Sequence, residues 1–414
     1  MYNIELRNYI LSHKNWEEEL TSAPYNLKIK RNELFYFVAL FMQAFANTVI
    51  SNSYLFGKGV YRFTISNYIL YISALLFLIS FCLKQTRLAY ILLQFSIGII
   101  ALVVADNISS IGFGVSVLAI IASVNIDFKK IVKWCLFINC FCLVIVIMPS
   151  LIGIIPNETY SHFDSTAYSL GFSYYSNAPY IIFMITILGY WLLRTKKQEK
   201  FFLLFSSLIQ YIVYKICTVR LIFYLYIVFL ILVFMSRWLN IEKKHKIITF
   251  LSAFMFPVAV LITVIGSLKV NTSSFWTKIN EFFNSRLIMN FTGFMRYGVK
   301  LLGQKIETSQ EYWDLNHINH YFYIDSAYAY ILICYGIIFS FILITAYSVL
   351  SYYAAKTNNI KLLIWCIVIC VFSLINNIIF NISLNPLPIL AINILLDNAI
   401  RRKKRLEAFQ IKNY

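Results

Sequence analysis

Six polar side chains in the C-terminal half of the chain have the chemistry needed to move a group from a phosphate to a hydroxyl. They are Arg220, Arg286, Arg296, His317, His320 and Asp325. An arginine guanidinium is a planar fork of N–H donors that fits phosphate oxygens, so arginines can neutralise a diphosphate leaving group without a metal ion. A carboxylate or an imidazole can take the proton of an attacking hydroxyl. These residue types together are suited to transfer of a group from a phosphate to an acceptor hydroxyl.

Three of these residues are alternative general bases. Asp325 is the first choice, His320 the second and His317 the third, and all three lie within residues 317–325. Each also has a simpler explanation. Asp325 has the residue type favoured at a helix N-cap, the histidines are ordinary polar residues of a loop, and the arginines are of a type that anchors proteins at the membrane surface.

The elements that position these residues are predicted to be membrane-spanning helices. The chain of 414 residues is 60% hydrophobic and 13% charged, whereas soluble domains are about 45–50% apolar and about 25% charged. Apolar runs of roughly 17–25 residues predict an all-α polytopic membrane protein with about twelve spans. The predicted spans are 34–56, 66–83, 88–105, 110–126, 131–155, 174–193, 201–217, 220–236, 247–268, 326–353, 362–383 and 386–400.

Five segments follow from these spans. A cytoplasmic N-terminal segment, 1–33, precedes nine spans in 34–268, and a large extracellular loop, 269–325, precedes three more spans in 326–400 and a basic cytoplasmic tail, 401–414. A loop as long as 269–325 is uncommon and is usually functional. Within it, apolar residues from Trp276 to Phe291 recur every three or four positions, which predicts an amphipathic helix on the outer membrane surface.

The orientation is predicted from the 36 lysines and arginines. Cytoplasmic loops carry the excess of these residues, and with the N-terminus inside, 26 of the 36 fall on the cytoplasmic side. Both termini are therefore predicted to be cytoplasmic. The net charge of +18 does not indicate nucleic-acid binding, because the basic residues fall in short clusters between apolar runs.

The loop residues resemble the outer-loop pattern of Wzy-type polysaccharide polymerases, within the O-antigen polymerase and ligase group. The resemblance is carried by Ser285-Arg286-Leu287, by Tyr297 to Ile306 with Gly303-Gln304-Lys305, by Tyr323 to Tyr328, and by Tyr335-Gly336. Within that group, the pattern is most similar to that of polymerases from Gram-positive capsule and exopolysaccharide gene clusters. Where the ligases carry a histidine followed by asparagine and an aromatic residue, this chain has His320 and then Asp325.

The resemblance implies a metal-independent glycosyltransferase of the bacterial cytoplasmic membrane, with no cofactor. It would transfer a growing glycan from undecaprenyl diphosphate to the non-reducing end of another lipid-linked repeat unit, at the outer face. Arg220, Arg286 and Arg296 would bind the diphosphate. A flippase and a chain-length regulator are the protein partners that the resemblance implies.

Two other functional classes fit a bundle of about twelve spans. A polysaccharide flippase or another transporter places ionisable residues near mid-membrane, whereas the predicted span interiors here contain almost none. A ligase-type lipid-linked glycosyltransferase would use the same chemistry on another acceptor. A purely structural role predicts that no single outer arginine is essential.

Overall fold

The computed structural model describes residues 30–57, 59, 61–84, 88–162, 165–238, 245–307 and 322–396. The described chain is nearly all α-helical. This suits a sequence rich in apolar runs, because in lipid a helix satisfies every backbone N–H and C=O group within one segment. The helices in chain order are α1 (Arg31–Phe45, followed by a π-helical turn at Ala46–Ser51), α2 (Tyr61–Cys82), α3 (Leu88–Ile108), α4 (Ile111–Ala122), α5 (Phe128–Leu151), α6 (Asn177–Leu192), α7 (Lys196–Cys217), α8 (Arg220–Trp238), α9 (His245–Lys269), α10 (Ser274–Phe282), α11 (Arg286–Tyr297), α12 (Ala327–Tyr330, followed by a π-helical turn at Ile331–Tyr335), α13 (Gly336–Lys356), α14 (Ile360–Phe372) and α15 (Leu387–Leu396).

Eight helical segments of the described chain are long and apolar enough to cross a membrane. They are α1, α2, α3, α5, α7, α8, α9 and the continuous segment formed by α12 and α13. Four shorter apolar helices, α4, α6, α14 and α15, lie at the remaining predicted spans. The prediction of an all-α polytopic membrane protein is therefore confirmed, while the count of about twelve crossings stays a prediction.

Polar residues at the short connections begin several of the helices. The side chains of Ser110, Asp127 and Asn359 each accept a hydrogen bond from a backbone N–H in the first turn of the following helix. Thr195 and Gln198 form a capping box at the start of α7. Such caps satisfy N–H groups that have no partner within the helix, so a polar residue between two apolar runs marks each boundary.

Ion pairs join the helices at one end of the bundle. Lys130 lies 2.9 Å from Glu33, and Glu199 lies 2.7 Å from Arg237 and 2.5 Å from Lys361. These residues belong to α1, α5, α7, α8 and α14. We call this the opposite end, and the end that holds Arg286 and Asp325 the site end.

A small β-hairpin lies where the chain passes from α5 to α6. Strand β1 (Thr159–His162) pairs antiparallel with β2 (Ser165–Tyr168). Backbone contacts join this connection to the residues after α1, since Tyr54 N donates to Gly171 O at 3.0 Å and Ser173 N donates to Asn52 O at 2.9 Å. The hairpin is thereby held against the end of the first span.

The predicted amphipathic helix over Trp276–Phe291 is two helices in the structure, α10 and α11. Asn284 and Ser285, between them, have left-handed backbone angles, with φ of 52° and 63°. A helix cannot continue through two such residues. The Asn280 side chain stabilises the turn by accepting a hydrogen bond from Ile288 N at 3.1 Å. The turn places Arg286 at the start of α11.

The predicted span 362–383 is also shorter in the structure, because α14 ends at Phe372. Residues 373–386 are irregular yet largely buried, and side chains of other helices bind their carbonyls. Tyr347 OH donates to Ile379 O and Asn139 Nδ2 donates to Ser383 O, both at 2.7 Å. Irregular backbone at membrane depth is tolerated where protein surrounds it. We call residues 373–386 the inner segment.

Candidate functional site

The residues that lead into α12 alternate between two environments. Phe322, Ile324 and Ser326 are buried, whereas Tyr323 and Asp325 are partly exposed. Side chains of an extended segment point alternately to opposite faces. The phenol of Tyr323 and the carboxylate of Asp325 therefore face the same, more open side.

Asp325 forms an ion pair with Arg286. Its Oδ2 atom lies 3.0 Å from Arg286 Nε, and the two side chains are 34% and 24% exposed. The Nη1 group of Arg286 also donates to the carbonyl of Ile375, in the inner segment. Two different parts of the chain therefore orient one guanidinium. A guanidinium has five N–H donors, so these two bonds leave donors for an anionic ligand.

Burial and the arginine act on Asp325 in opposite directions. Burial raises the pKa of Asp325 above its ordinary value of 3.8, and the Arg286 guanidinium lowers it, with a net rise. The pKa of Tyr323 is also raised, by burial and then by the nearby Asp325 carboxylate. A carboxylate with a raised pKa is a stronger proton acceptor than an ordinary one. The Asp325 environment thus suits general-base chemistry.

Hydrogen bonds of Gln304 hold the connection after α11 against the π-helical turn that follows α12. Gln304 N donates to Cys334 O at 2.9 Å, and the Gln304 side chain donates to Tyr297 O at 3.0 Å and to Ile333 O at 3.3 Å. A Cβ atom on Gly303 would lie 2.2 Å from Cys334 O. The Gly303-Gln304 and Tyr335-Gly336 motifs therefore lie against each other and fix the direction in which α13 begins.

Of the other predicted site residues, Arg220 and Arg296 have no described contact with this pair. Arg296 is exposed, with its guanidinium 5.2 Å from the centre of the Phe322 ring. Arg220 is exposed at the start of α8, and no described hydrogen bond or ion pair joins its guanidinium to Asp325. His317 and His320 lie outside the described residues, so their place relative to Asp325 stays a prediction, as does metal independence.

An apolar groove lies between α9 and α13, and we call it the α9–α13 groove. Its volume is about 650 Å³, and its lining is mostly apolar, with Pro257 and Leu261 from α9 and Phe341 from α13. Leu261 and Phe341 are 57% and 71% exposed, so the groove opens on the bundle surface. One end lies at Ile331 and Leu332, shortly after Asp325 in the chain. At this end, the groove is thus lined by residues that begin six positions after Asp325 in the chain.

Three features of the site have no strong sequence signal. The carbonyl of Ile375 is a backbone group that any residue would supply, and its position depends on the end of α14. Tyr323 is one of 30 tyrosines, and only its alternation with buried neighbours could have indicated that it shares a face with Asp325. The α9–α13 groove forms between helices far apart in sequence, so helical periodicity does not reveal it.

The fold and the site define a nearly all-α polytopic membrane protein with a partly open Arg–Asp pair at one end of its bundle. Comparison with family models, with curated proteins and with solved structures gives no match for this chain.

Proposed function

We propose that this protein is a polymerase of lipid-linked oligosaccharide repeat units. It transfers the growing glycan from undecaprenyl diphosphate to the non-reducing end of another lipid-linked unit, at the outer face of the bacterial cytoplasmic membrane. The observation that carries the proposal is the Arg286–Asp325 pair, with 3.0 Å between Nε and Oδ2, beside an apolar groove. A diphosphate on a long lipid chain needs this combination of a cationic site and an apolar channel.

The chemistry requires one base and one anion-binding group. The acceptor hydroxyl oxygen attacks the anomeric carbon of the donor sugar, and the bond from that carbon to the diphosphate oxygen breaks. The leaving diphosphate keeps the electron pair, and Arg286 stabilises its charge. The proton of the hydroxyl passes to Asp325, the first choice among the three bases. A direct displacement of this kind inverts the anomeric centre and forms no covalent intermediate on the protein.

Arg286 links the two halves of the reaction. While it is paired with Asp325, it favours the ionised carboxylate, which is the form that accepts a proton. When the diphosphate binds, the guanidinium is shared between carboxylate and phosphate, and Asp325 becomes more basic. Binding of the donor thereby prepares the base. Arg220 and Arg296, exposed at the same end of the bundle, add positive charge that attracts the diphosphate.

The orientation of the bundle supports an outer-face reaction. Of the 36 lysines and arginines, the 26 in connections predicted to be cytoplasmic include Lys130, Arg237 and Lys361 of the opposite end. The excess of basic residues on one side predicts that this side is cytoplasmic. The site end then faces outward with Arg286 and Asp325, and both termini are cytoplasmic.

A transporter or flippase is the second candidate, and the inner segment is the observation that favours it. Interrupted helices at membrane depth build the binding sites of many transporters. Residues 373–386 here are irregular and surrounded by protein. In the described residues, however, the four ion pairs lie at the ends of the bundle rather than along a path through its middle.

Reconstitution tests the proposal. The full chain in proteoliposomes, given synthetic undecaprenyl-diphosphate repeat units, is expected to form a ladder of longer glycans. Arg286→Ala should reduce the initial rate by on the order of 100-fold, because it removes the group that stabilises the leaving charge. Lys278→Ala is the matched control, since Lys278 is an exposed cation of α10 at the same end, and its rate should stay within about twofold of the wild type.

Three results would contradict the proposal. Continued chain growth in both Arg220→Ala and Arg286→Ala proteins would remove the arginines from the mechanism. Movement of the lipid-linked unit across the bilayer without chain growth would favour the transporter. Transfer only to an acceptor other than a repeat unit would favour the ligase.

A further inference from the structure

Three tyrosines form an aromatic cluster between the β-hairpin and α6, and we call it the tyrosine platform. The ring of Tyr160 lies 5.7 Å from that of Tyr174 and 5.3 Å from that of Tyr175, measured between ring centres. Tyr174 and Tyr175 are 4.5 Å apart, and Tyr174 is 41% exposed. The platform therefore presents aromatic surface at the end of the bundle.

A carboxylate is built into the same cluster. Glu158 accepts a hydrogen bond from the hydroxyl of Tyr54. The Tyr160 hydroxyl lies 3.3 Å from Glu158 Oε2 and 2.9 Å from Ser173 O. Glu158 N also donates to Ser169 Oγ at 3.0 Å. These bonds fix an acceptor group beside three aromatic rings, and Tyr54 contributes to them from 104 residues earlier in the chain.

A series of contacts through the first turn of α6 links the platform to the Arg286–Asp325 pair. Tyr175 lies just before α6, and Tyr180 of α6 packs on Phe372 with ring centres 5.4 Å apart. The next residue, Ser373, accepts a hydrogen bond from Ala327 N at 2.9 Å. Ala327 follows closely after Asp325. A ligand several sugars long that reached Asp325 could therefore also reach the platform.

Anchoring in the membrane interface does not account for Tyr160. Tyrosines of an interfacial belt lie on the spans, with their hydroxyls directed to water. Here Tyr160 belongs to β1, and its hydroxyl lies against Ser173 O and Glu158 within the connection. The cluster also lies beyond the ends of α5 and α6. Hydrogen bonds within the connection thus hold Tyr160, and the rings of Tyr174 and Tyr175 pack beside it.

We propose that the tyrosine platform is a carbohydrate-binding subsite that holds sugar residues of the glycan next to the bond being formed. An aromatic face is electronegative and attracts the positively polarised C–H face of a pyranose ring, while the Glu158 carboxylate accepts hydrogen bonds from sugar hydroxyls. The choice of a glycan as ligand rests on the proposed function. The subsite would set which repeat unit the protein accepts.

Binding of free oligosaccharides tests the subsite. The full chain in lipid nanodiscs is given a panel of probes: cellohexaose, chitohexaose and a hexamer of galacturonic acid. Saturation-transfer NMR is expected to show contact with at least one probe. The double variant Tyr174→Ala and Tyr175→Ala should raise the Kd of that probe by about 3- to 10-fold, because each stacked ring contributes modestly. Tyr174→Trp should keep the affinity, since it keeps an aromatic face.

Tyr61→Ala is the matched control, because Tyr61 begins α2, is 81% exposed and has no described ring contact with the three platform tyrosines. Its Kd should equal that of the wild type. Thermal unfolding of each variant shows that the bundle is intact. Failure of every probe to bind the wild-type chain would overturn the subsite, and so would an unchanged Kd in the double variant.

The experiments can reject the subsite without rejecting the proposed reaction, and the reverse. The probes carry no diphosphate, so Arg286→Ala should bind them as the wild type does while losing chain extension. If the wild-type chain does not polymerise yet binds sugars through Tyr174 and Tyr175, the subsite stands and the reaction is wrong. If it polymerises but the double variant binds and extends sugars normally, the reaction stands and the subsite is wrong.

Discussion

The carboxylate of Asp325 is exposed enough to meet a ligand and buried enough to have a changed affinity for protons. Burial raises its pKa, and Arg286 opposes the rise. The ion pair is partly open to solvent, and such a pair contributes little to stability. We infer that Arg286 and Asp325 are held together because of where the ion pair lies, and not because it stabilises the fold.

A pH profile follows from this carboxylate. The base must be ionised, and the pKa of Asp325 is raised, so chain extension should fall as the pH is lowered, at a pH above that expected for an ordinary aspartate with a pKa of 3.8. Initial rates between about pH 4 and pH 8 measure this acid limb. Asp325→Glu should move the limb, and Asp325→Asn should abolish extension at every pH. A wild-type rate in Asp325→Asn would remove Asp325 from the role of base.

The sequence indicates which individual residues belong to the candidate site better than it indicates which of them lie close together in space. Arg286 and Asp325 stand out because charge is unusual beside apolar runs, and the structure joins them at 3.0 Å. Arg220 stands out for the same reason, yet no described contact joins it to the pair. Charge pattern along a chain carries no information about which helices become neighbours. The grouping depends on packing between distant segments.

Gly303 and Gly336 determine how the start of α13 packs against the connection after α11. Gly336 has φ of 82° and ψ of 171°, a combination that is essentially restricted to glycine. A Cβ atom there would lie 2.3 Å from the backbone nitrogen of Gly303. The connection after α11 and the start of α13 are therefore in backbone contact, which leaves no room for a side chain at either position.

Gly336→Ala should destabilise the protein. The backbone conformation alone costs an alanine about 1–3 kcal/mol, and the overlap with Gly303 adds to it. The expected result is a clear fall in Tm, measured in detergent, with a parallel loss of chain extension. Gly112→Ala is the control, because nothing lies within 4 Å of a Cβ atom at Gly112, and its Tm should not fall. An unchanged Tm in Gly336→Ala would mean that the two segments are not packed in this way.

The α9–α13 groove gives a prediction about lipid length. Ser348 lines the groove, and a phenylalanine at this position would occupy space that the undecaprenyl chain needs. Ser348→Phe should raise the KM for the undecaprenyl-linked donor about 10-fold or more, with little effect on a donor linked to a much shorter prenyl chain. Leu75→Phe, on the exposed surface of α2, is the control and should change neither KM. Equal KM changes for both donors would exclude the groove as the lipid site.

Element boundaries show where sequence-based prediction of the fold ends. The positions of the apolar helices follow from composition, and polar caps such as Thr195 mark their starts. The end of α14 at Phe372 was not predicted, because six of residues 373–383 are apolar and only three asparagines and two serines interrupt the run. Apolar composition requires burial but does not distinguish a buried helix from a buried irregular segment. Side chains such as Asn139 and Tyr347 make the irregular form possible by binding its carbonyls.

The ion pairs at the two ends of the bundle differ in how exposed they are and in what surrounds them. At the opposite end, Glu199 joins α7 to α8 and α14 through Arg237 and Lys361, with its own side chain only 10% exposed. Pairs of this kind hold helices together without binding a ligand. At the site end, the Arg286–Asp325 pair is more open, and it lies beside aromatic and apolar surfaces. The carboxylate of the site end is thus more open to solvent than those of the opposite end.

This asymmetry requires a definite orientation in the membrane, which cysteine labelling measures. Phe282 lies at the site end and is 67% exposed, and Lys200 lies at the opposite end and is exposed. In intact cells, a membrane-impermeant maleimide should label Phe282→Cys but should label Lys200→Cys only after the membrane is permeabilised, because the basic side is predicted to be cytoplasmic. The parent chain, with its exposed Cys82 and Cys140, provides the background. The reverse labelling pattern would place Arg286 and Asp325 in the cytoplasm, where an outer-face polymerase could not use them.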